Sequence, residues 1–104
     1  MSRKRWYVHR KPEAGKAFRE FHDECLEKGK LSRKTRELIM AAVASAMRCP
    51  HCTENHIKGA MEAGADEEEV TEALMLAALE GAGSQLYWAS DLFEEYLGEE
   101  AGEE

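Results

Sequence analysis

Apolar residues recur at steps of three and four along most of the chain, the spacing that places them on one face of an α-helix. Pro12 suits a first helical turn and predicts a first helix that ends at Gly29. Ser32 is placed to cap a second helix. The predicted buried faces are Ala14, Phe18, Phe21 and Cys25 in the first helix, and Leu38, Ile39, Ala42, Val43, Ala46 and Met47 in the second.

A proline marks the boundary between the second and third predicted helices. The residue before a proline disfavours the helical conformation and Pro50 lacks an N–H group, so we expect the second helix to stop at residues 48–50. Pro50 then suits the first turn of a third helix, which runs to about Ala63. Gly64 follows as its C-terminal stop.

Two further helices are predicted beyond Gly64. Asp66 followed by Glu69 forms a capping box and opens the fourth helix. We expect Gly81 and Gly83 to interrupt that helix, and Ser84 to cap a fifth. The apolar positions are Val70, Leu74, Leu76, Ala77 and Leu79 in the fourth helix, and Leu92, Phe93, Tyr96 and Leu97 in the fifth.

The pattern as a whole predicts an all-α domain of about five helices. The 104 residues suffice for one domain with its own core, so we expect a basic N-terminal arm over 1–11, a helical domain over 12–97 and a frayed acidic tail over 98–104. No apolar run approaches the ~18 residues that span a membrane. The start lacks a signal-peptide core, and three cysteines, an odd number, argue against a secreted disulfide framework, so we expect a cytoplasmic protein.

Charge is divided unevenly between the two halves of the chain. Residues 1–48 hold thirteen Lys and Arg against six Asp and Glu, a net +7, whereas residues 49–104 hold one against fifteen, a net −14. Such halves can pair within one subunit or between the subunits of an oligomer. The overall acidity and the lack of a recognition motif argue against nucleic-acid binding by the basic arm.

The centre of the chain carries the candidate chemistry. If Pro50 opens a helix, Cys49, Cys52 and His56 fall at i, i+3 and i+7 and project within roughly 60° of one another. Two thiols this close can form a disulfide, and an imidazole one turn further on can accept a thiol proton. This combination indicates dithiol redox chemistry.

The spacing leaves open which cysteine is the nucleophile. An ordinary thiol is only ~3% thiolate at neutral pH, so a reactive cysteine needs local stabilisation of its anion. The N-terminus of the third helix favours Cys49, whereas His56, four residues after Cys52, favours Cys52. Glu37 stands beside the apolar Leu38 in the second helix. It is either a partly buried proton acceptor or an exposed residue among neighbouring cations.

This arrangement resembles the active-site pattern of the alkyl hydroperoxide reductase D-like group within the carboxymuconolactone decarboxylase family. The pattern is Glu37, eleven residues, and then Cys49-x-His51-Cys52-x-x-x-His56. The resemblance covers roughly residues 30–85. It extends to Leu31-Ser32-x-Lys34-Thr35-Arg36-Glu37 before the motif, and to Ala63-Gly64-Ala65 and Glu72-Ala73-Leu74 after it.

The resemblance implies a thiol-dependent peroxidase or disulfide oxidoreductase with no bound cofactor or metal. It implies a proton relay from Glu37 through His56 to Cys52, which attacks the peroxide, while Cys49 closes the disulfide. His51 matches a further family histidine and is a possible supporting residue. The expected partners are a hydroperoxide or disulfide substrate and a thiol reductant or redox protein. The resemblance also implies a homo-oligomer, a trimer or hexamer. Peroxidase-type members repeat the helical unit, and another subunit could supply the half that this chain lacks.

Two alternatives remain at this point. The motif is also three-quarters of a zinc site that His22, Cys25 or His51 could complete, although structural zinc usually draws its ligand pairs from separate elements. A protein of that kind would be a metal-binding or structural member of the family. The other alternative is a non-redox, lactone-processing member. Decarboxylase members do not rely on the two cysteines, so their presence favours the redox interpretation.

Overall fold

The computed structural model of the protein describes residues 6–98, which form six α-helices and no β-strand. This confirms the all-α class, with one helix more than the five expected. The additional helix is the short α1. The helices are α1 (Trp6–Arg10), α2 (Pro12–Glu27), α3 (Arg33–Ala46), α4 (Pro50–Glu62), α5 (Glu67–Tyr87) and α6 (Ser90–Leu97). Within this described part of the chain, none of the helices has the length and apolar character needed to cross a membrane.

The chain divides into two compact units, one ending at Ser32 and one beginning at Arg33. In the first unit α1 packs on α2 at Gly15, where an added Cβ would lie 3.1 Å from the Cα of Val8. The expected core position of Cys25 is wrong, because its side chain is exposed. The physical reason is the size of this unit, since the five residues of α1 are too few to cover the whole apolar face of α2.

The second unit is built on a helix hairpin of α3 and α4, with α5 packed mainly on α3. Small residues bring the first two helices close together: Ala41 and Ala44 on α3 and Ala60 on α4 are all buried. A cluster of Ala60, Ala65 and Val70 continues this core. Leu38, Ile57 and Leu74 pack against it.

The face of α3 that we expected to be buried is largely exposed. Ile39, Val43 and Met47 lie on the surface, while Ala41 and Ala44 occupy the buried positions. The hydrophobic pattern predicted burial of the larger side chains, but the close approach of α4 requires small ones. The prediction of this buried face was therefore wrong, and the larger side chains form an exposed apolar surface.

The end of α4 follows the predicted stop at Gly64. Gly64 adopts a φ of 107°, in the left-handed region that glycine occupies without a steric penalty. The N–H of Ala65 donates to the carbonyl of Ala60 at 2.9 Å, and the N–H of Gly64 donates to that of Met61 at 3.0 Å. These two hydrogen bonds make a Schellman motif, which satisfies the last carbonyls of the helix.

The start of α5 confirms the predicted capping box. The N–H of Glu69 donates to Asp66 Oδ1 at 2.8 Å, and the N–H of Asp66 donates to Glu69 Oε1 at 3.1 Å. Lys34 Nζ on α3 donates to Glu69 Oε2 at 2.9 Å. This hydrogen bond, with a smaller contribution from the backbone of Asp66, lowers the pKa of the Glu69 carboxyl. The contact ties the start of α5 to α3.

The predicted break within α5 does not occur. The helix runs through Gly81 and Gly83 to Tyr87, and Ser84 lies inside it rather than at a cap. An isolated glycine costs only about 1 kcal/mol relative to alanine in a helix. The alanines, leucines and glutamates around these glycines are good helix formers, so the helix continues. The last helix, α6, begins at Ser90 instead.

Candidate active site

The turn before the candidate site is a second Schellman motif, at the end of α3. The N–H of Cys49 donates to the carbonyl of Ala44 at 3.1 Å, and the N–H of Arg48 donates to that of Ser45 at 3.0 Å. Arg48 adopts a φ of 61°, and is the one non-glycine residue with positive φ among residues 6–98. The chain thus ends α3 and delivers Cys49 directly to the start of α4.

Cys49 is the N-cap residue of α4, and Pro50 occupies the first turn. The sulfur of Cys49 accepts a hydrogen bond from the N–H of Cys52 at 3.2 Å. The carbonyl of Cys49 accepts from the N–H of Thr53 at 2.9 Å and from the Thr53 hydroxyl at 2.8 Å. The sulfur of Cys49 therefore lies at the positive end of the helix dipole, where a thiolate is stabilised.

Cys49 and Cys52 form a disulfide, with their Cα atoms 5.3 Å apart. Both residues are partly buried. The separation lies within the range that a disulfide requires without backbone movement. The structure therefore joins the two cysteines whose spacing predicts that a disulfide can form.

Glu37 and His56 are in direct contact across the hairpin. Nδ1 of His56 lies 2.7 Å from Oε1 of Glu37, and the side chains are 23% and 17% exposed respectively. In the tautomer that carries its proton on Nδ1, His56 donates this hydrogen bond to the carboxylate, and Nε2 is the basic nitrogen of the ring. His56 lies one helical turn after Cys52, on the same side of α4.

Gly59 allows this contact, and sequence reasoning missed its role. A Cβ added at this buried glycine would lie 2.6 Å from Cδ of Glu37 and 2.7 and 2.9 Å from its two carboxylate oxygens. No side chain fits there while Glu37 holds its position. A glycine inside an otherwise regular helix was the available signal, since it costs helix stability unless close packing requires it.

A second residue that the sequence reasoning missed is Arg33. Its Nε lies 3.8 Å from Oε2 of Glu37, and its Nη2 lies 3.3 Å from Oε1 of Glu62 on α4. The guanidinium therefore lies near the carboxylate oxygen that His56 does not contact. The four-residue spacing of Arg33 and Glu37 on one helix was the signal that could have found it.

Among the residues that the structure describes, the remaining candidates make no hydrogen bond or ion pair with the Glu37–His56 pair. His51 is on α4 and exposed, and Cys25 and His22 belong to the first compact unit. His22 contacts its neighbour Asp23, with Nδ1 3.1 Å from Oδ1. Over residues 6–98, no group of three or more His, Cys, Asp or Glu side chains is arranged to hold a metal ion.

The sequence of residues 12–95 matches the Carboxymuconolactone decarboxylase family. The chain belongs to this family. The resemblance seen in the sequence around the cysteine motif is thereby confirmed, and it extends over most of the chain. The carboxymuconolactone decarboxylase family includes decarboxylases as well as peroxidases of the alkyl hydroperoxide reductase D type.

The chain is also similar to individual proteins. The chain is similar to a protein of Methanobacterium thermoautotrophicum of known crystal structure, with 38% identity and a TM-score of 0.76 over 84% of this chain and 98% of that one. It is also 45% identical over 56 residues to the "Uncharacterized protein 4 in cox locus" of Paracoccus denitrificans. That match covers 54% of this chain and 50% of the relative, so the chain spans about half the length of that protein.

Proposed function

We propose that the protein is a thiol-dependent oxidoreductase that reduces hydroperoxides through Cys49 and Cys52. The observation that carries this proposal is the disulfide at the start of α4, one turn before a histidine held by a partly buried carboxylate. Such a pair is the arrangement that activates a cysteine nucleophile. Glu37 orients the imidazole through Nδ1, so that Nε2 can exchange protons on the other side of the ring.

The reaction begins on the reduced dithiol. His56 accepts the proton of Cys52, and the thiolate attacks an oxygen of the hydroperoxide. The O–O bond breaks, the alkoxide leaves with the proton from His56, and Cys52 becomes a sulfenic acid. Cys49 then attacks the Cys52 sulfur. Water leaves, and the disulfide forms. Two electrons have passed from the two sulfurs to the peroxide.

The choice of Cys52 as nucleophile follows from the division of roles around α4. Cys49 lies at the helix N-terminus, where its thiolate is stabilised for the second step. Cys52 is one turn from His56, which can both remove its proton and return a proton to the leaving group. His51 is exposed, and we propose no proton-transfer role for it.

Intact mass spectrometry of the reduced protein tests the proposal. We use a Cys25→Ser background, because Cys25 is an exposed free thiol that would react on its own. One equivalent of an organic hydroperoxide is expected to remove two thiols and about 2 Da in the parent, as disulfide formation requires. Unchanged thiols in the parent would contradict the peroxidase proposal.

Two single variants identify the nucleophile in the same experiment. Cys49→Ser is expected to gain about 16 Da and hold a sulfenic acid on Cys52, whereas Cys52→Ser is expected to remain unmodified. The reverse pattern would assign the attack to Cys49 instead. It would leave the peroxidase activity in place but remove the relay through His56.

A non-redox reaction is the second candidate, because the family to which the chain belongs also includes decarboxylases. It predicts that the Cys52→Ser variant keeps the full activity of the parent on a lactone substrate. Zinc binding predicts about one metal ion per chain in the protein as purified, and thiols that resist alkylation. The thiol measurement, the lactone activity of Cys52→Ser and the metal content therefore separate the peroxidase, lactone-processing and zinc-binding candidates.

A further inference from the structure

The two sulfurs of the disulfide do not share the same surroundings. An open groove of about 680 Å³ lies beside the start of α4, and Cys49 lines it together with Arg48, Pro50 and Thr53. Cys52 is not among the residues that line this groove. It lies instead one turn before the Glu37–His56 pair. A molecule in the groove would therefore reach the disulfide at Cys49.

The charged side chains along this groove are Arg48, Glu54 and Lys58. Lys58 Nζ lies 3.3 Å from Oε2 of Glu54, so these two largely offset one another. Arg48, whose Nη1 donates to the carbonyl of Ser45 at 3.4 Å, gives the lining its net positive charge. The whole chain has a net charge of −7. The groove is thus a cationic site on an acidic protein.

Arg48 occupies a backbone conformation that is unfavourable for it. The left-handed conformation at φ 61° costs energy for a residue with a Cβ. At the equivalent position after α4 the chain uses Gly64, with the same pair of hydrogen bonds. An arginine held where glycine would fit better suggests that its side chain is needed.

We propose that this groove admits an anionic thiol, the reductant that returns the disulfide to the dithiol, and that Arg48 selects it by charge. The proposal rests on the redox function of Cys49 and Cys52 and names the class of its reductant. The groove offers an apolar surface to the carbon chain of such a thiol, formed by Pro50, Ile57 and the methyl group of Thr53. The guanidinium of Arg48 pairs with the negative group of the thiol, for example a carboxylate.

The reduction is a thiol–disulfide exchange in two steps. The thiolate of the reductant attacks the sulfur of Cys49, the bond between the two cysteines breaks, and Cys52 leaves as a thiolate that takes a proton from His56. A second reductant thiolate attacks the mixed disulfide and releases Cys49. Two reductant thiols are oxidised to one disulfide, and the protein gains two electrons and two protons.

Reduction of the purified disulfide form by three small thiols tests this selection. Mercaptopropionate is anionic, mercaptoethanol neutral and cysteamine cationic. Each rate is divided by the rate at which the same thiol reduces a small uncharged disulfide, which removes differences in thiolate fraction and in intrinsic nucleophilicity. The Cys25→Ser protein is expected to prefer the anionic to the cationic thiol by about 3- to 10-fold at low salt. High salt should reduce this preference, because it screens an exposed charge.

Three substitutions at one position separate the charge of Arg48 from its backbone conformation. Arg48→Gln is expected to lose the preference, while Arg48→Lys keeps most of it. Arg48→Gly should also lose the preference yet raise the Tm, because glycine relieves the left-handed conformation. A fall in Tm for Arg48→Gly would contradict the argument from strain.

The proposal is overturned if the parent protein shows no preference for the anionic thiol, or if Arg48→Gln retains it. It is also overturned if none of the three thiols reduces the disulfide. These outcomes differ from a failure of the proposed peroxidase function, because that function is tested by oxidation of the dithiol and the groove by reduction of the disulfide. If peroxide forms no disulfide but the anionic thiol reduces the disulfide selectively, the proposal for the groove stands and the peroxidase proposal fails.

Discussion

The carboxylate of Glu37 has a different partner on each side. His56 lies 2.7 Å from one oxygen and Arg33 3.8 Å from the other. The carboxylate thus contacts the imidazole through one oxygen and lies near a guanidinium through the other. In the proposed reaction, the position of Nε2 relative to the Cys52 thiol therefore depends on a residue that never needs to touch the sulfur.

Replacing Glu37 with glutamine tests this dependence. The amide oxygen can still accept the hydrogen bond from Nδ1, but the negative charge beside the imidazole is lost. We expect the rate of peroxide-driven disulfide formation to fall about 10-fold or more, the loss typical when the carboxylate partner of a metal-bound histidine is removed. The measurement is the rate of thiol loss under excess hydroperoxide across a range of pH.

Glu62→Gln is the matched control for this variant. Glu62 contacts the same arginine at 3.3 Å, but it is 70% exposed and makes no contact with His56. Its rate and pH profile should follow those of the parent. Equal rates for parent and Glu37→Gln would show that the carboxylate only holds the two helices together.

At the scale of elements, the close contact of α3 and α4 is made by residues without large side chains. Ala41, Ala44 and Ala60 are buried between helices, and Gly59 leaves room for the Glu37 carboxylate. The same small surfaces that pack the hairpin thus place an acid from one helix against a base from the other. Packing and chemistry are set by the same contact.

Gly59→Ala separates these two effects. The new methyl group would displace the end of the flexible Glu37 side chain. The stability lost with the Glu37 contacts is offset in part by the ~1 kcal/mol that alanine adds to helix stability. We expect the Tm to change by only a few degrees, as ΔΔG values below about 1 kcal/mol imply. The peroxidase rate should fall as far as in Glu37→Gln, because the contact with His56 is broken.

Gly83→Ala serves as the control for the general effect of a glycine-to-alanine change. A Cβ at Gly83 meets no atom within 4 Å, and the residue lies inside α5. This variant should gain ~0.5–1 kcal/mol of stability and keep the parent rate. If Gly59→Ala behaves in the same way, Glu37 has room to move without loss of function and the positioning role of Gly59 is wrong.

The sequence predicts those elements whose signals are local. Pro50, Gly64 and the Asp66–Glu69 pair mark helix ends through their own backbone and side-chain chemistry, and the structure has helix ends at each of them. The buried face of α3 could not be predicted, because it depends on which neighbour approaches and how closely. The continuity of α5 through Gly81 was missed because the surrounding helix formers outweigh one unfavourable residue.

The same distinction applies to the site. The spacing of Cys49, Cys52 and His56 along one helix could be read from the chain, and the resemblance to a family supplied Glu37. The contact of Glu37 with Gly59 and the second ion pair of Arg33 link different helices. Pairs of this kind depend on how the helices pack, which the hydrophobic pattern misassigned for α3.

On the scale of the whole molecule, the buried core is small. The buried hydrophobic residues among those described are alanines and one valine, and none of the large side chains is fully buried. Within the second unit, a groove of about 800 Å³ between α3 and α5 is lined by Ile39, Val43 and Leu76. We infer that these exposed apolar faces are buried in a homo-oligomer, the assembly that the family resemblance implies.

Charged substitutions in this groove test the oligomer. Val43 is 52% exposed and Leu76 53% exposed, so Val43→Glu and Leu76→Glu should fold but weaken subunit association. Sedimentation velocity over a range of concentrations is expected to show a shift from oligomer toward monomer. Met61→Glu, on α4 at 43% exposed and away from the groove lining, is the control. A parent protein that is monomeric throughout would contradict the inference.

All the residues assigned to the reaction lie on one helix hairpin, between Arg33 at the start of α3 and Gly59 in α4. The contacts that assemble them join neighbouring helices, so they form with little loss of loop entropy. A duplicated or transferred stretch of gene encoding this one hairpin would carry the complete set of reacting groups with it. The proposed reaction would then need no group from a distant part of the chain.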